Sequence, residues 1–306
     1  MSTLVFIEFN KNVISESSSQ AATIANDLQN EVYGLTSKDD ESYISSLGSK
    51  GFDKIFVIDN FNHYSAIEEI IKSNGIKTIL SPSSNTFKEL SSRISTQLNF
   101  PIASNVLKIE KNGKISCSIF SGKAESHMIN DNDSCIYLLN KNIVESQDFD
   151  KKVDIIKVDS KVSENSSFEV LEQKLIEEDI SLNDADVVIS AGRGLKGPEN
   201  WQMIEDLAKK LNAATACSKP VSDAGWRPHH EHVGQTGLKI SPKIYFAIGI
   251  SGAIQHLAGV NSSKTIIVIN NDPEAPFFKA ADYGVVGDAF EVVPKLTEKL
   301  KSFFNK

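Results

Sequence analysis

The sequence is short of cysteine, of positive charge and of long apolar runs, and each shortage excludes a class of protein. Three cysteines occur, Cys117, Cys135 and Cys217, scattered and without a CxxC pair. That spacing implies no disulfide framework, iron–sulfur ligand set or zinc site. Lysine and arginine total 32 against 40 aspartate and glutamate, a net charge of −8. Generic nucleic-acid binding needs a basic surface, so that class is set aside. No apolar run approaches the ~18 residues of a spanning helix, so no membrane insertion is expected. The opening residues are apolar, yet they contain Glu8 and lack a basic leader and a cleavage site. They read as a first strand rather than a signal peptide, and the expected location is cytoplasmic.

What is present suits a folded protein of roughly two domains: 306 residues, 40% hydrophobic and 24% charged. Residues 1–160 alternate short apolar strands with polar helical stretches. Strands are expected at 4–9, 55–58, 78–81, 106–110, 114–120, 134–139 and 155–158, and helices at 19–29 and 64–73. Such alternation predicts a mostly parallel sheet. This half is rich in Ser, Asn, Asp and Lys and has no glycine fingerprint; Lys111-Asn-Gly-Lys114 reads as a hairpin turn. The polar stretch 160–183 reads as a connector with a helix at 168–178.

From residue 186 the character changes. Val187-Val-Ile-Ser-Ala-Gly-Arg-Gly-Leu195, Val233-Gly-Gln-Thr-Gly237 and Gly249-Ile-Ser-Gly-Ala-Ile-Gln-His256 set three glycine-rich turns at the ends of apolar strands. Around them lie expected strands at 186–190, 213–217, 244–249, 265–270 and 284–286. Helices are expected at 200–211, 253–257 and 290–304, and a loop rich in Pro, Asp, Gly and His after 217. Glycines at strand ends let backbone N–H groups converge on an anion, and a helix N-terminus behind them adds partial positive charge. Three such turns at the carboxyl edge of one sheet can hold an extended phosphate-bearing molecule, a dinucleotide being the obvious candidate. The expected fold class is α/β with two Rossmann-like domains, 1–174 and 175–306, each a mostly parallel sheet with helices on both faces.

Further motifs continue in order: Ser222-Asp-Ala-Gly225, Ser263-Lys-Thr265, Ile269-Asn-Asn-Asp-Pro-Glu-Ala-Pro276, Ala281-Asp-Tyr-Gly284 and Phe290-Glu-Val-Val-Pro294. With the glycine turns, they make residues 184–300 strongly resemble the alpha subunit of electron transfer flavoproteins. Residues 1–160 match only in length and order of strands. The resemblance implies a heterodimer with a beta subunit and one FAD in the C-terminal domain. AMP or a second FAD in the beta subunit is left open. It implies a redox carrier rather than a substrate-converting enzyme. Electrons would pass from flavin dehydrogenases, such as the acyl-CoA dehydrogenases of fatty acid beta-oxidation, to a quinone reductase or another acceptor. The N-terminal domain would dock partners and hold no cofactor.

The same resemblance assigns residue roles. Arg193 contacts FAD on its ribityl–pyrophosphate side, where a planar guanidinium suits phosphate. Ser251, Gly252, Ala253, Ile254, Gln255 and His256 lie against the cofactor, and Ser251 and Gly252 cap the short helix, a serine N-cap being worth ~1 kcal/mol on its own. His256 bonds flavin O2, where a donor, above all a cationic one, favours negative charge on the reduced ring. Thr236 is placed toward flavin N5, with Gln235 beside it, and Val233 and Gly234 line the ring site. Asn270, Asp288 and Ala289 surround the adenosine end.

Ser218 and Lys219 hold the main departure, since the family usually has Ser-Arg there. Lysine keeps the charge but loses the planar fork, and Pro220 stiffens the loop. Gly197-Pro198, where Ser-Gly is common, is a second, local departure. His229-His-Glu-His232 resembles a metal cluster, but four adjacent residues rarely face one ion, and the stretch reads as a solvated loop. Trp201 and Trp226 read as packing residues, Trp226 covering part of the pocket. Two other readings stay open: a nucleotide- or coenzyme A-binding α/β enzyme, which lacks an evident acid/base pair, and a non-redox nucleotide-binding subunit.

Overall fold

Alternating apolar runs and helices fold as their pattern dictates. A computed structural model describes residues 2–10, 13–28, 30–120, 122–158, 181–183 and 185–304. It divides the chain into two units, Met1–Lys174 and Leu175–Lys306.

In the first unit β1 (Ser2–Phe6) leads through a small ribbon, β2 (Phe9–Asn10) and β3 (Val13–Ile14), to α1 (Glu16–Asp27). Then come β4 (Glu31–Thr36), α2 (Glu41–Ile44), β5 (Lys54–Val57), α3 (Tyr64–Ser73), β6 (Thr78–Pro82) and α4 (Asn85–Leu98). The unit ends with β7 (Ile102–Ile109), β8 (Lys114–Ile119), β9 (Ala124–Ile129), β10 (Cys135–Leu139) and β11 (Asp154–Lys157). The sheet order is β11-β5-β4-β1-β6-β10-β7-β8-β9. Pairing is parallel from β11 to β7 and antiparallel for β7/β8 and β8/β9. Central strands covered on both faces read as unbroken apolar runs. Thus β10 is buried throughout. One face packs Ala21, Ala22, Ile24 and Ala25 of α1. The other packs Ile67, Ile70 and Ile71 of α3 with Phe87, Leu90 and Ile94 of α4.

The expected hairpin at 111–114 joins β7 to β8. Other expectations shift. The first strand stops at Phe6 rather than residue 9. The helix expected at 19–29 starts three residues earlier, because Ser15 caps it by accepting from the Ser18 amide at 3.2 Å. β4, β9 and α4 were not anticipated. β4 carries Gly34, whose lack of a side chain admits Ile7 and Ile55, and β9 is a mostly exposed edge strand without an apolar alternation. The helix expected at 168–178 lies outside the described residues.

In the second unit β12 (Val187–Ala191) is followed by 3₁₀ turns at Arg193–Leu195 and Pro198–Asn200, then α5 (Gln202–Leu211) and β13 (Ala214–Cys217). Next are α6 (Lys219–Asp223), a 3₁₀ turn at His229–Glu231, β14 (Ile244–Ile248) and α7 (Ile254–Leu257). The chain closes with β15 (Thr265–Asn270), a 3₁₀ turn at Pro276–Ala280, β16 (Tyr283–Val286) and α8 (Ala289–Phe304). All neighbours in the order β13-β12-β14-β15-β16 pair in parallel. Ile204, Leu207 and Ala208 of α5 pack with Val293 of α8 and Trp201 on one face. Val233, Ile240, Val260 and Phe277 cover the other.

The stretch after 217 is not a plain loop. Ser218 occupies the N-cap position of α6 and Pro220 stands in its first turn, where a missing N–H costs nothing. Pro220 therefore starts a helix rather than stiffening a loop.

Candidate functional site

Chain order fixes where a ligand can enter the second unit. After β12 the chain moves outward to β13, then returns to lay β14 on the opposite side of β12. The sheet thus has its topological switch between β12 and β14, where α/β sheets open a crevice at the carboxyl ends of their strands. Gly192–Gly194 and Gly249 stand at those two ends.

The glycines do something different from what their spacing suggests. Their amides are already committed: Gly192 donates to Ile248 O at 2.9 Å, Gly194 to Gly249 O at 3.1 Å and Gly249 to Ile269 O at 2.9 Å. What the missing side chains permit is backbone contact. A Cβ on Gly194 would stand 2.6 Å from the Gly249 Cα, and one on Gly259 would stand 2.5 Å from the Gly234 nitrogen. The turns are locked back to back, and Gln235 N to Gln255 O at 2.7 Å ties the second turn to the third. The amides of Ser251, Gly252 and Ala253, by contrast, donate to no other group among the described residues. They are unused donors of this edge, as are the amides of Arg193, Thr236 and Gln255.

Ser251 and Gly252 are not the cap of α7. Ala253 holds that position, without a side-chain hydrogen bond, and the helix is a single turn. Gly252 instead has φ +84, and a Cβ there would collide with Phe277.

A cleft of about 600 Å³ opens here, within the usual ~300–1,000 Å³ of a small-molecule site. Of the residues singled out from sequence, Arg193, Ser218, Lys219, Val233, Gly234, Gln235, Thr236, Ser251, Ala253, Gln255, His256 and Asn270 line it. Gly252, Ile254, Asp288 and Ala289 do not. Ile254 is largely exposed. Asp288 accepts from the Phe290 amide at 3.0 Å at the start of α8 and lies 4.0 Å from Lys196 Nζ. Ala289 is buried with α5 and α8. His232 and Asp272 are lining residues that the sequence did not single out for the cofactor. The Asp272 amide donates to Asn270 Oδ1 in an Asx-type turn, while Asn270 Nδ2 holds Ile250 O.

His256 is buried, with Nε2 2.8 Å from the Tyr245 hydroxyl and Nδ1 sealed from solvent without a hydrogen bond. Burial, reinforced by His232, pushes its pKa down to about 4, against an upward pull from the Val233 backbone. The imidazole is therefore neutral near pH 7 and offers a donor without a charge. With Nε2 occupied by the Tyr245 hydroxyl, Nδ1 is the ring nitrogen left without a hydrogen bond.

Lys219 is mostly exposed, its Nζ 3.7 Å from Asp223 Oδ2 one helical turn on. Trp226 packs against the α5/α8 core and is absent from the cleft lining, so it does not cover the site.

The 229–232 stretch is not a solvated loop. Glu231 and His232 are buried. Arg227 grips both Glu231 oxygens, Nε to Oε2 at 2.8 Å, and reaches Glu205 Oε1 at 2.9 Å, its guanidinium 5.4 Å over the Trp201 ring. His229 Nδ1 meets Ser222 Oγ at 2.8 Å. Among the described residues no group of three or more acidic, His or Cys side chains could hold a metal.

Free amides beside a crevice, two cations at its mouth and a buried imidazole nitrogen without a hydrogen bond fit a molecule with phosphates at one end and a carbonyl-bearing ring at the other. Known proteins agree with that chemistry. Residues 3–163 match the electron transfer flavoprotein domain, and 181–261 match the electron transfer flavoprotein FAD-binding domain. The chain is 32% identical over 305 residues to the electron transfer flavoprotein subunit alpha of Bacillus subtilis, covering 95% of this chain and 93% of the relative. It is 31% identical to that of Syntrophomonas wolfei, covering 98% and 99%. It is 54% identical over 119 residues to the mitochondrial subunit alpha of Arabidopsis thaliana, covering 39% and 33%. No helix among the described residues is long and apolar enough to cross a membrane. With its FAD-binding domain laid out along the switch point of its second sheet, the chain belongs to the electron transfer flavoprotein alpha-subunit family.

Proposed function

We propose that this chain carries electrons on one FAD held in the cleft of its second unit, in a heterodimer with a beta subunit. The observation that carries this reading is the orphaned His256 Nδ1 in a cleft edged by the free amides of 251–253, within the region matched to the FAD-binding domain. When bound, the flavin would supply the electron-accepting and electron-donating chemistry; the protein supplies binding and electrostatics.

The residues divide that labour. Arg193 and the amides of Ser251 and Ala253 hold phosphate, as N–H groups and a guanidinium suit it. Val233, Gly234, Gln235 and Thr236 line the ring, with the Thr236 hydroxyl able to donate or accept. His256, neutral, presents a fixed N–H rather than a charge. Lys219 and Ser218 supply the positive end of α6. Asn270 and Asp272 fix the loop after β15 at the cleft's far side. Gly252, Ile254, Asp288 and Ala289 would act, if at all, from outside the lining.

Donors on this reading are flavin dehydrogenases such as acyl-CoA dehydrogenases, and the acceptor is a quinone reductase or another oxidant, so the chain moves electrons and converts no substrate. AMP or a second FAD belongs to the beta subunit. The first unit docks partners. Three free, buried cysteines suit a reducing compartment, and we assign the cytoplasm. Co-expression with the cognate beta subunit tests the reading. A yellow complex whose flavin spectrum bleaches on anaerobic reduction is expected. A pair that is colourless and takes up no added FAD defeats it and favours a non-redox nucleotide-binding subunit.

A further inference from the structure

We propose that His232 is a second imidazole of the cofactor cleft and takes up a proton from solvent when an electron enters the bound flavin. The proposal rests on the flavin reading above and adds to it a residue and a proton.

Geometry carries the assignment. His232 is 7% exposed and lines the cleft. Its ring lies along the flavin-side glycine turn: a Cβ on Gly234 would be 3.3 Å from His232 Nε2, and one on Gly237 2.7 Å from Nδ1. The turn has no side chains at those places, which leaves room for the ring. Its backbone is pinned, Leu238 N donating to His232 O at 2.9 Å and Val233 N to Cys217 O at 3.1 Å. Arg227 anchors the preceding Glu231. A side chain held this firmly, with no hydrogen bond to its ring nitrogens among the described residues, has its proton-binding capacity unused.

The groups facing it come from each surrounding element. α6 brings Lys219 and Asp223, the 3₁₀ turn His229, and α7 His256, with Glu231 next in the chain and Cys217 of β13 bridged to its backbone. Each has its own restraint. Lys219 pairs with Asp223, His229 meets Ser222, Glu231 meets Arg227, and His256 meets Tyr245. Burial pushes the Cys217 thiol up to about 12, so it stays protonated. Burial first, then Lys219 and His229, push the His232 pKa below its ordinary value, against a pull from Asp223. The ring is thus neutral before reduction. A negative charge arriving in the cleft opposes those influences and favours the imidazolium.

The step balances simply. One electron comes from the reduced donor flavin of a dehydrogenase. One proton comes from solvent and forms one N–H bond on His232. Both leave again on oxidation by the acceptor.

The test compares the FAD-loaded wild-type heterodimer with His232→Gln, which keeps an N–H donor of similar reach. Reduction potentials for the first electron are titrated anaerobically across pH. The wild type is expected to lose up to tenfold in its reduction equilibrium per pH unit more than the variant, which is 59 mV for one electron. Equal slopes in two yellow complexes overturn the proposal and leave the flavin reading intact. A colourless wild-type complex removes both. Should the variant hold no flavin, ¹³C-imidazole spectra of the wild type decide. The His232 resonance, assigned by its absence from the variant, is expected to move to its charged position on reduction near pH 7, and a resonance neutral in both states overturns the proposal.

Discussion

Removing the Arg227 guanidinium should expose how much the 227–232 segment depends on one buried pair. Glu231 has a side chain only 6% exposed, against 23% for Arg227 and 42% for Glu205. In Arg227→Met the Trp201 contact keeps an apolar partner, but the Glu231 carboxylate loses both of its charged hydrogen bonds in a place water scarcely reaches. Breaking a buried pair from one side typically costs ~3–5 kcal/mol, because a charge is left without compensation. The partial exposure of Arg227 lets some water in, so the lower end, about 3 kcal/mol, is expected. Glu205→Gln removes only the exposed partner and should cost less than ~1 kcal/mol. At a urea slope of about 2 kcal/mol per molar, the first variant should lose roughly 1.5 M in midpoint and the second under roughly 0.5 M. The assay is equilibrium urea unfolding of the heterodimer at fixed subunit concentration, followed by circular dichroism, with flavin release read in parallel. Because Glu231 precedes His232 and Val233, flavin release in Arg227→Met should come before global unfolding. Midpoints for the two variants within roughly 0.3 M of each other would refute the reasoning, since the two partners would then be equally well solvated.

Other expectations test the cleft directly. Lys219→Met should lower the first reduction potential while flavin stays bound. A cation at a few ångströms is worth ~1 kcal/mol in water and ~4 at an effective dielectric of 20, and the exposure of Lys219 beside Asp223 places the effect near the lower figure. Lys219→Arg should restore the charge, and a potential unmoved in Lys219→Met would point the side chain to solvent. His256 is held neutral with its pKa depressed from an unfolded value of ~6.5 to about 4. Its contribution to stability is therefore present above pH ~6.5 and lost as pH falls toward 4, by about 3 kcal/mol. His256→Gln should flatten the unfolding midpoint over that window, and an unchanged slope would show that the imidazole is already charged or solvated. Gly194→Ala should cost ~1–3 kcal/mol by overpacking and weaken flavin retention, since the added methyl meets the backbone of Gly249. A stable, yellow Gly194→Ala complex would mean that the two turns separate easily.

Apart from β4, β9 and α4, the sequence by itself determined most strands of both sheets, their mainly parallel pairing and the edge on which the cleft opens. Each of these follows from local patterns: apolar runs, alternation with helices, and glycines at strand ends. It also determined the family, because ordered motifs from 184 to 300 survive as strings of residues. Tertiary structure decided the rest. Gly192, Gly194 and Gly249 looked like anion donors, yet their amides bond neighbouring backbone, while unused donors in the cleft stand at Arg193, Thr236, Ser251, Ala253 and Gln255. No local pattern reveals which strand end will lie beside which. His256 was expected at the site and lines the cleft, but its charge was not legible, since that depends on burial and on His232 beside it. Asp288 and Ala289 were assigned by resemblance and lie outside the cleft lining, because Asp288 is engaged at the start of α8 with the Phe290 amide and Lys196, and Ala289 is packed into the α5/α8 core. His232 and Glu231 sat in a polar string that reads as solvated. They are buried because Arg227, Glu205 and the glycine turn close around them. Burial and pairing are properties of neighbours distant in the chain, and those neighbours exist only once the sheet has formed.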